Sequence, residues 1–374
     1  MKFDNKIIDG DNYHLKFLIN SKKVKKIFFL SGEISFVRSG AKRYFKSILK
    51  KKEVFYFFKK NKYVEIKELI KLIRLIKNFK PDLIIAVGGG SVLDYAKLAN
   101  NLDNDDLESR IIKKKSLSFK KKTKLLAIPT TAGSGSEVTS SGVVYVNRIK
   151  YSIEDIKMVP DYFFLFPKFV INANSKIRAA SALDGIAQSI ESIISLKSNH
   201  ESLKYSLKSL DIFTKNINNY FENNNNKNTI KMCIASNLAG KAINISRTTA
   251  PHAVSYPFTS HYGIDHGHAV ILTLKNFLNF NYKNIDKSIS NFSLHKRYQE
   301  IFKVTKSQNI KGLNLFLDEI INKSKVITNY KKLGINIDKF SNVILREVNL
   351  QRLANNPLKL GKKDIKNIIL NEQL

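Results

Sequence analysis

The 374-residue chain is long enough for two domains, each with its own core, and its 43% apolar and 25% charged residues are an ordinary globular mixture. Its longest apolar runs, such as Val54–Phe58 and Tyr162–Phe166, are far too short to span a bilayer, and a single cysteine, Cys233, excludes a disulfide framework or a cysteine metal cluster. The formal charge of +33 raises the question of a nucleic-acid or membrane-surface partner. The excess is mostly lysine, is spread along the chain, and comes with abundant Asn and Ile, as in the Asn223–Asn226 run. Base-reading proteins lean on arginine gathered on one element, so compositional drift is the better reading, and neither nucleic acid nor membrane is expected as a partner. The opening MKFDNKIIDGDNYHLKF has no apolar stretch of signal-peptide length, and a cytoplasmic location is expected.

In chain order, Val24–Leu30 reads as a buried strand, Ala41–Lys51 as a helix and Glu53–Lys59 as a second strand. Val64–Phe79 repeats apolar residues at helical spacing. Leu83–Val87 is a third strand closed by Gly88–Gly90, helix-like Val92–Leu98 follows, and Leu125–Ile128 is a further strand behind the Lys-rich connection Lys113–Lys124. This alternation predicts a parallel, doubly wound sheet. Beyond about residue 155 long helical stretches dominate: Lys176–Ser195, Ser202–Asn219 and Thr229–Ile245. The expected fold class is therefore α/β plus all-α: a Rossmann-like dinucleotide-binding domain over residues 1–155 and a helical metal- and substrate-binding domain over 156–374.

Two segments carry the signs of a phosphate site. In PDLIIAVGGGSVLDYAK a strand runs into Gly88, Gly89, Gly90 and Ser91 and a helix begins at once. Glycines let a pyrophosphate approach the backbone, and the helix start offers N–H groups and a positive dipole end. Asp94 either contacts the ligand or stabilises the first helical turn. In AIPTTAGSGSEVTSS, Thr130, Thr131 and Ser134 follow a strand end with more small polar residues than a buried strand needs for structure. Two such loops at strand C-termini mark the ligand crevice of an open sheet.

The second half holds a different constellation. Asp184 and Gln188 are four apart on a helix and share a face, and four of the seven histidines fall between His252 and His268. A carboxylate expected to point inward needs a partner charge or a metal, and His is the commonest transition-metal ligand.

GGGSVLD, PTTAGSGSE, the helix of Asp184 and HAVSYPF…YGIDHGHA occur in the order seen in iron-containing (group III) alcohol dehydrogenases, and over residues 24–285 the chain resembles that family. The resemblance implies the family's dehydroquinate synthase-like fold and a metal-dependent alcohol dehydrogenase or aldehyde reductase using NADPH or NADH with Fe(II) or Zn(II). It implies that Gly88, Gly89, Gly90 and Ser91 hold the pyrophosphate, that Thr130, Thr131 and Ser134 line the cofactor, and that Lys150 lies near the nicotinamide ribose. Asp184, His252 and His266 match three metal ligands. The fourth departs from the pattern: Gln188 stands where the family usually has His, with a harder and weaker amide donor. His261 and His268 are possible substitutes.

In the family an acidic residue after an early strand repels the extra phosphate of NADPH. If Gly32 occupies that position NADPH is favoured, and if Glu33 does NADH is; the alignment leans to Gly32. SRTTAPHAVSYPFTSHYGIDHGHAVILTL resembles the phosphonoacetaldehyde reductases within the family, with Arg247, Thr248, Thr249 and Ser260 as possible donors to an anionic aldehyde. Arg247 reads equally well as a structural ion-pair residue. His268 and Tyr256 are the possible proton donors. The resemblance also implies a homodimer or larger homo-oligomer. The competing readings are a general short-chain alcohol dehydrogenase, a dehydroquinate synthase-like lyase, and a basic binding protein on a degenerate enzyme fold.

Overall fold

The computed structural model describes residues 12–103 and 105–370, so residues 1–11 of the stretch weighed above as an export signal lie outside it. No described helix is long and apolar enough to cross a membrane. The chain forms two compact units. One comprises the chain up to Thr131 with Gly135–Ala173 and Asn225–Cys233; the other comprises Ala132–Ser134, Asn174–Asn224 and the chain from Ile234 onward.

The first unit is built on a parallel sheet of β1 (Lys26–Gly32), β2 (Glu53–Lys59), β3 (Leu83–Gly88), β4 (Lys124–Pro129) and β7 (Tyr162–Phe163), in the order β2-β1-β3-β4-β7. Strand side chains alternate between faces, and both faces are covered, which is why the strands read as continuous apolar runs. Phe28, Leu30, Ile84 and Ala86 pack into one core with the helices Ile66–Phe79 and Gly90–Asn101. Ile27, Phe29, Ile85, Val87 and Leu126 pack into the other with Phe45, Phe166 and Phe169. Chain order reverses between β1 and β3, so the crevice at a topological switch point lies at their carboxyl ends. There Gly32 ends β1, Gly88 ends β3, and the Ser31 hydroxyl donates to Val87 O at 2.6 Å.

This unit continues to Ala173, further than the division expected near 155. The reason is β7, which returns beside β4 with Leu126 opposite Tyr162 and keeps the following residues with the sheet. A hairpin of β5 (Ser141–Val146) and β6 (Ile149–Glu154) carries Lys150 opposite Tyr145. Its two turn residues, Asn147 and Arg148, have φ of 49° and 67°, so a turn normally signalled by glycine is invisible to that rule.

The second unit is helical. Asn174 caps Ser175–Ile194 by accepting from Ile177 N, and Asn199 forms a reciprocal capping box with Ser202 at the start of His200–Glu222. Ala250–Tyr262 and His266–Lys283 follow, packed with Ile335, Phe340, Ile344 and Ile365. Pro257 lies inside Ala250–Tyr262 and cannot donate to Ala253 O. That carbonyl accepts from Asn349 N at 3.2 Å instead, so a later segment supports the helix where proline weakens it.

Candidate metal and cofactor sites

Three helices of the second unit converge on one point. Asp184 comes from Ser175–Ile194, His252 from the first turn of Ala250–Tyr262, and His266 opens His266–Lys283. Each offers a ligand atom, and these atoms lie within 4.8 Å of one another. Asp184 and His252 are buried. Bonds of about 2 Å to a common ion allow donor separations of this size. The close approach depends on Gly267: a Cβ there would lie 2.6 Å from Asp184 Cβ and overlap the Ala180 carbonyl oxygen.

Gln188 stands one turn beyond Asp184, buried, with Nε2 donating to Asp184 Oδ2 at 3.1 Å. Asp184 Oδ1 is 3.3 Å from His252 Nε2. Asp184 Oδ1, His252 Nε2 and Gln188 Oε1 are all buried without a hydrogen-bond partner. Buried polar atoms are nearly always paired. Asp184 Oδ1 and His252 Nε2 face each other, and Gln188 Oε1 is a further buried oxygen donor one turn along the helix of Asp184, a set of donors that fits a cation.

The sequence reading missed Glu191. This fully buried carboxylate accepts from Thr249 N at 2.7 Å and from the Thr249 hydroxyl at 2.9 Å, and it bonds His252 Nδ1. It holds the imidazole so that Nε2 faces Asp184. A carboxylate on the distal nitrogen of a metal-binding histidine fixes its tautomer and ring orientation. Burial alone lowers the His252 pKa, but Glu191 and Asp184 outweigh it and raise it to about 9. Residues 184, 188 and 191 repeat at i, i+4 and i+7 on one helical face, a signal present in the sequence.

Tyr256 lies one turn after His252 on the same helix, buried, with its ring centroid 5.9 Å from that of His266. His268 follows His266 by two residues, roughly 200° round the helix. Its Nε2 contacts Ile327 O at 2.7 Å, and burial lowers its pKa. His261 is exposed and pairs with Glu347 at 3.0 Å. Arg247 ends Asn226–Ser246 in the left-handed conformation, φ 63°, with Nη1 donating to Asn244 O at 2.7 Å. The Thr248 carbonyl accepts from Asn355 Nδ2 at 3.1 Å, and the Ser260 hydroxyl turns back to Tyr256 O at 3.2 Å.

In the sheet unit, Gly89 is the N-cap of the 90–101 helix. Val92 N and Leu93 N reach Gly89 O, so the N–H groups of Gly90 and Ser91 are those the helix start leaves for a ligand. A Cβ on Gly88 would lie 2.6 Å from Val92 Cβ, whereas one on Gly89 would meet only the Thr131 side chain at 3.6 Å. Gly88 is thus demanded by packing and Gly89 is not. Thr130 N bonds Gly88 O at 3.0 Å, tying the two loops together.

Much of the second loop has a structural task, contrary to the expectation that structure would not need its small polar residues. A Cβ on Gly133 would lie 2.7 Å from the Ser181 carbonyl carbon. Ser136 donates to Asp94 Oδ1 at 2.6 Å, and Asp94 Oδ2 accepts from Val143 N at 3.1 Å. Buried Lys97 pairs with Asp94 at 3.2 Å and bonds Ser136 O, Thr139 Oγ1 and Ser141 O. These contacts give Asp94 a role beyond the two weighed above: it braces the loop from the neighbouring helix.

Residues 5–167 match the family model "Iron-containing alcohol dehydrogenase", and 178–372 match "Fe-containing alcohol dehydrogenase family, C-terminal". The chain is 29% identical over 293 residues to 4-hydroxybutyrate dehydrogenase of Clostridium kluyveri, covering 76% of each protein. It is 26% identical over 221 residues to phosphonoacetaldehyde reductase of Streptomyces viridochromogenes, covering 56% of each. The aldehyde-alcohol dehydrogenase of Streptococcus pneumoniae is a longer protein, of which the match spans 25%. Among solved structures, sulfoacetaldehyde reductase from Bifidobacterium kashiwanohense in complex with NAD+ superposes with a TM-score of 0.86 at 23% identity, covering 99% of this chain and 98% of that one. That likeness extends the fold over the whole chain. With both family models matched and a helical unit that brings an aspartate and two histidines together, the chain belongs to the iron-containing alcohol dehydrogenase family, whose members are oxidoreductases working with NAD(P) and a divalent metal.

Proposed function

We propose that this enzyme reduces an anionic short-chain aldehyde, phosphonoacetaldehyde, to the primary alcohol 2-hydroxyethylphosphonate at the expense of a reduced nicotinamide cofactor. The observation that carries the catalytic part is the convergence of Asp184, His252 and His266 beside unpartnered buried lone pairs. Asp184 Oδ1, His252 Nε2, a ring nitrogen of His266 and Gln188 Oε1 would hold Fe(II) or Zn(II). When bound, the ion supplies Lewis acidity toward the carbonyl oxygen and the nicotinamide supplies the hydride. Glu191 keeps His252 turned toward the site. Tyr256 is the better placed of the two proton donors considered, and its Oη would give the proton to the alkoxide. Gly89, Gly90 and Ser91 would hold the pyrophosphate, with Thr130 and Thr131 beside them. Ser134 and Lys150 remain assigned to the cofactor by family resemblance.

Two things support an anionic substrate. Two relatives act on anions, 4-hydroxybutyrate and phosphonoacetaldehyde by name. The chain's charge of +33 favours capture of an anion. Phosphonoacetaldehyde should exceed propanal in kcat/KM by roughly 30- to 1,000-fold, on the order of 2–4 kcal/mol for a partly desolvated charged contact. NADPH oxidation against both aldehydes, with and without added Fe(II) or Zn(II), measures this. Arg247→Met should erase most of the preference and leave propanal turnover nearly unchanged. Comparable kcat/KM for the two aldehydes would defeat the phosphonate assignment. The second reading, a reductase for neutral short-chain aldehydes, has in its favour the NADPH-dependent butanol dehydrogenase of Clostridium saccharobutylicum, 24% identical over 315 residues.

NADPH is proposed over NADH. Gly32 pairs in register with Lys59, whose Cε lies 3.9 Å from where a residue-32 side chain would begin. The Lys59 Nζ is held by Asn61 O at 2.6 Å, while Glu33 is exposed on the next helix. A 2′-phosphate at this strand end would meet the Lys59 cation. The kcat/KM ratio of NADPH to NADH should be about tenfold or more, and Lys59→Met should bring it toward one. A preference for NADH in the unmodified enzyme would reverse the assignment.

A further inference from the structure

We propose that Gln188 is the residue that sets metal choice: its amide oxygen makes the donor set two nitrogens and two oxygens and tilts the site away from Zn(II) toward harder divalent ions such as Fe(II) and Mn(II). The inference rests on the metal assignment above. Gln188 Nε2 has two neighbours, Asp184 Oδ2 at 3.1 Å and Ser134 O at 3.5 Å, one a carboxylate and one a carbonyl. Both are acceptors, so that end of the amide must be the NH2 group. Oε1 is therefore the other end, and it is buried with no hydrogen-bond partner. An amide oxygen buried in that state is unfavourable unless something takes its lone pair. Asp184 Oδ1 and His252 Nε2, unsatisfied in the same way, are its companions on the same helix face and the facing helix.

The hydrogen bond to Asp184 Oδ2 has a second consequence. It leaves Oδ1 as the carboxylate atom facing His252 Nε2 and favours one-point attachment of Asp184. The protein then offers His252 and His266 nitrogens with Asp184 and Gln188 oxygens. Imidazole suits Zn(II), whereas carboxylate and carbonyl oxygens suit Mn(II) and other hard ions. The intrinsic order still puts Zn(II) above Fe(II) and Mn(II) at almost any such site, so the observable effect is a compressed gap between them.

The test is titration of the chelator-stripped full-length protein with ZnSO4 and MnCl2, and anaerobically with Fe(II), by calorimetry or competition with a metallochromic chelator. No turnover is needed. Gln188→His should increase the Zn(II)-over-Mn(II) preference by about tenfold or more, because a nitrogen donor strengthens zinc binding more than manganese binding. Gln188→Ala should weaken both ions by about tenfold or more through loss of a ligand, with an unchanged circular dichroism spectrum. Gln188→Glu keeps an oxygen donor and should hold the preference near that of the unmodified protein. The proposal is overturned if Gln188→Ala binds both ions as tightly as the unmodified chain, or if Gln188→His leaves the preference unchanged. Either result would leave Asp184, His252 and His266 as ligands. Failure of the unmodified chain to bind any of the three ions would overturn the metal assignment itself.

Discussion

Replacement of His266 by alanine should abolish stoichiometric metal binding and lower kcat/KM by about a thousandfold or more, roughly 4 kcal/mol of transition-state stabilisation. The fold should survive. His266 lies at the first position of its helix and is half-buried, and alanine is well tolerated there. The tight packing of that helix against Ser175–Ile194 depends on Gly267, which the substitution leaves alone. Elemental analysis gives the metal content, and thermal unfolding gives an independent reading. An ion that binds only the native state stabilises it by about 2.7 kcal/mol at a hundredfold excess over Kd. A chelator should therefore lower the Tm of the unmodified enzyme and not that of His266→Ala. Retention of one metal per chain in the variant would show that His266 is not a ligand.

Gly89→Val should weaken NADPH binding by about a hundredfold or more, on the order of 3 kcal/mol, while leaving the unfolding temperature close to that of the unmodified chain. The expectation comes from the different surroundings of two adjacent glycines. Residue 89 has φ −73° and ψ −179°, which valine adopts readily, and its Cβ would meet nothing nearer than the Thr131 side chain at 3.6 Å. The added methyls would stand where a pyrophosphate approaches the helix start. Gly88→Ala is the contrasting variant. Its Cβ would collide with Val92, a case of overpacking that costs about 1–3 kcal/mol of stability. Fluorescence titration with NADPH and thermal unfolding on both variants separate the roles. Unchanged NADPH affinity in Gly89→Val would remove the phosphate from this loop.

The strand–glycine–helix arrangement could be read in advance because its information is local. Leu83–Gly88 is apolar throughout as both faces are covered, and the glycine run marks where the backbone changes direction. The pair Asp184 and Gln188 was legible for the same kind of reason, since four residues on a helix bring side chains to one face. The histidine cluster signalled a site, but the spacing of His252, His261, His266 and His268 did not say which would meet. Pattern matching to the family picked out His252 and His266; the chain alone gave all four equal standing.

By itself the sequence determined the alternating sheet unit, the helical character of the second half, the glycine-rich turn and the helix face bearing Asp184. Each follows from side-chain period or backbone freedom within a few residues. Only the tertiary structure decided which atoms converge. His252 and His266 approach Asp184 because three helices pack together, one of them brought close by Gly267, a relation between positions far apart in the chain. The spacing of Glu191 puts it on the helix face of Asp184, but only the approach of Thr249 and His252 shows what it holds. Likewise Asp94 becomes a loop brace through contact with Ser136 and Val143, more than forty residues away. Burial turns these ordinary polar side chains into a site: with water excluded, each lone pair must find a partner in the protein or in what the protein binds.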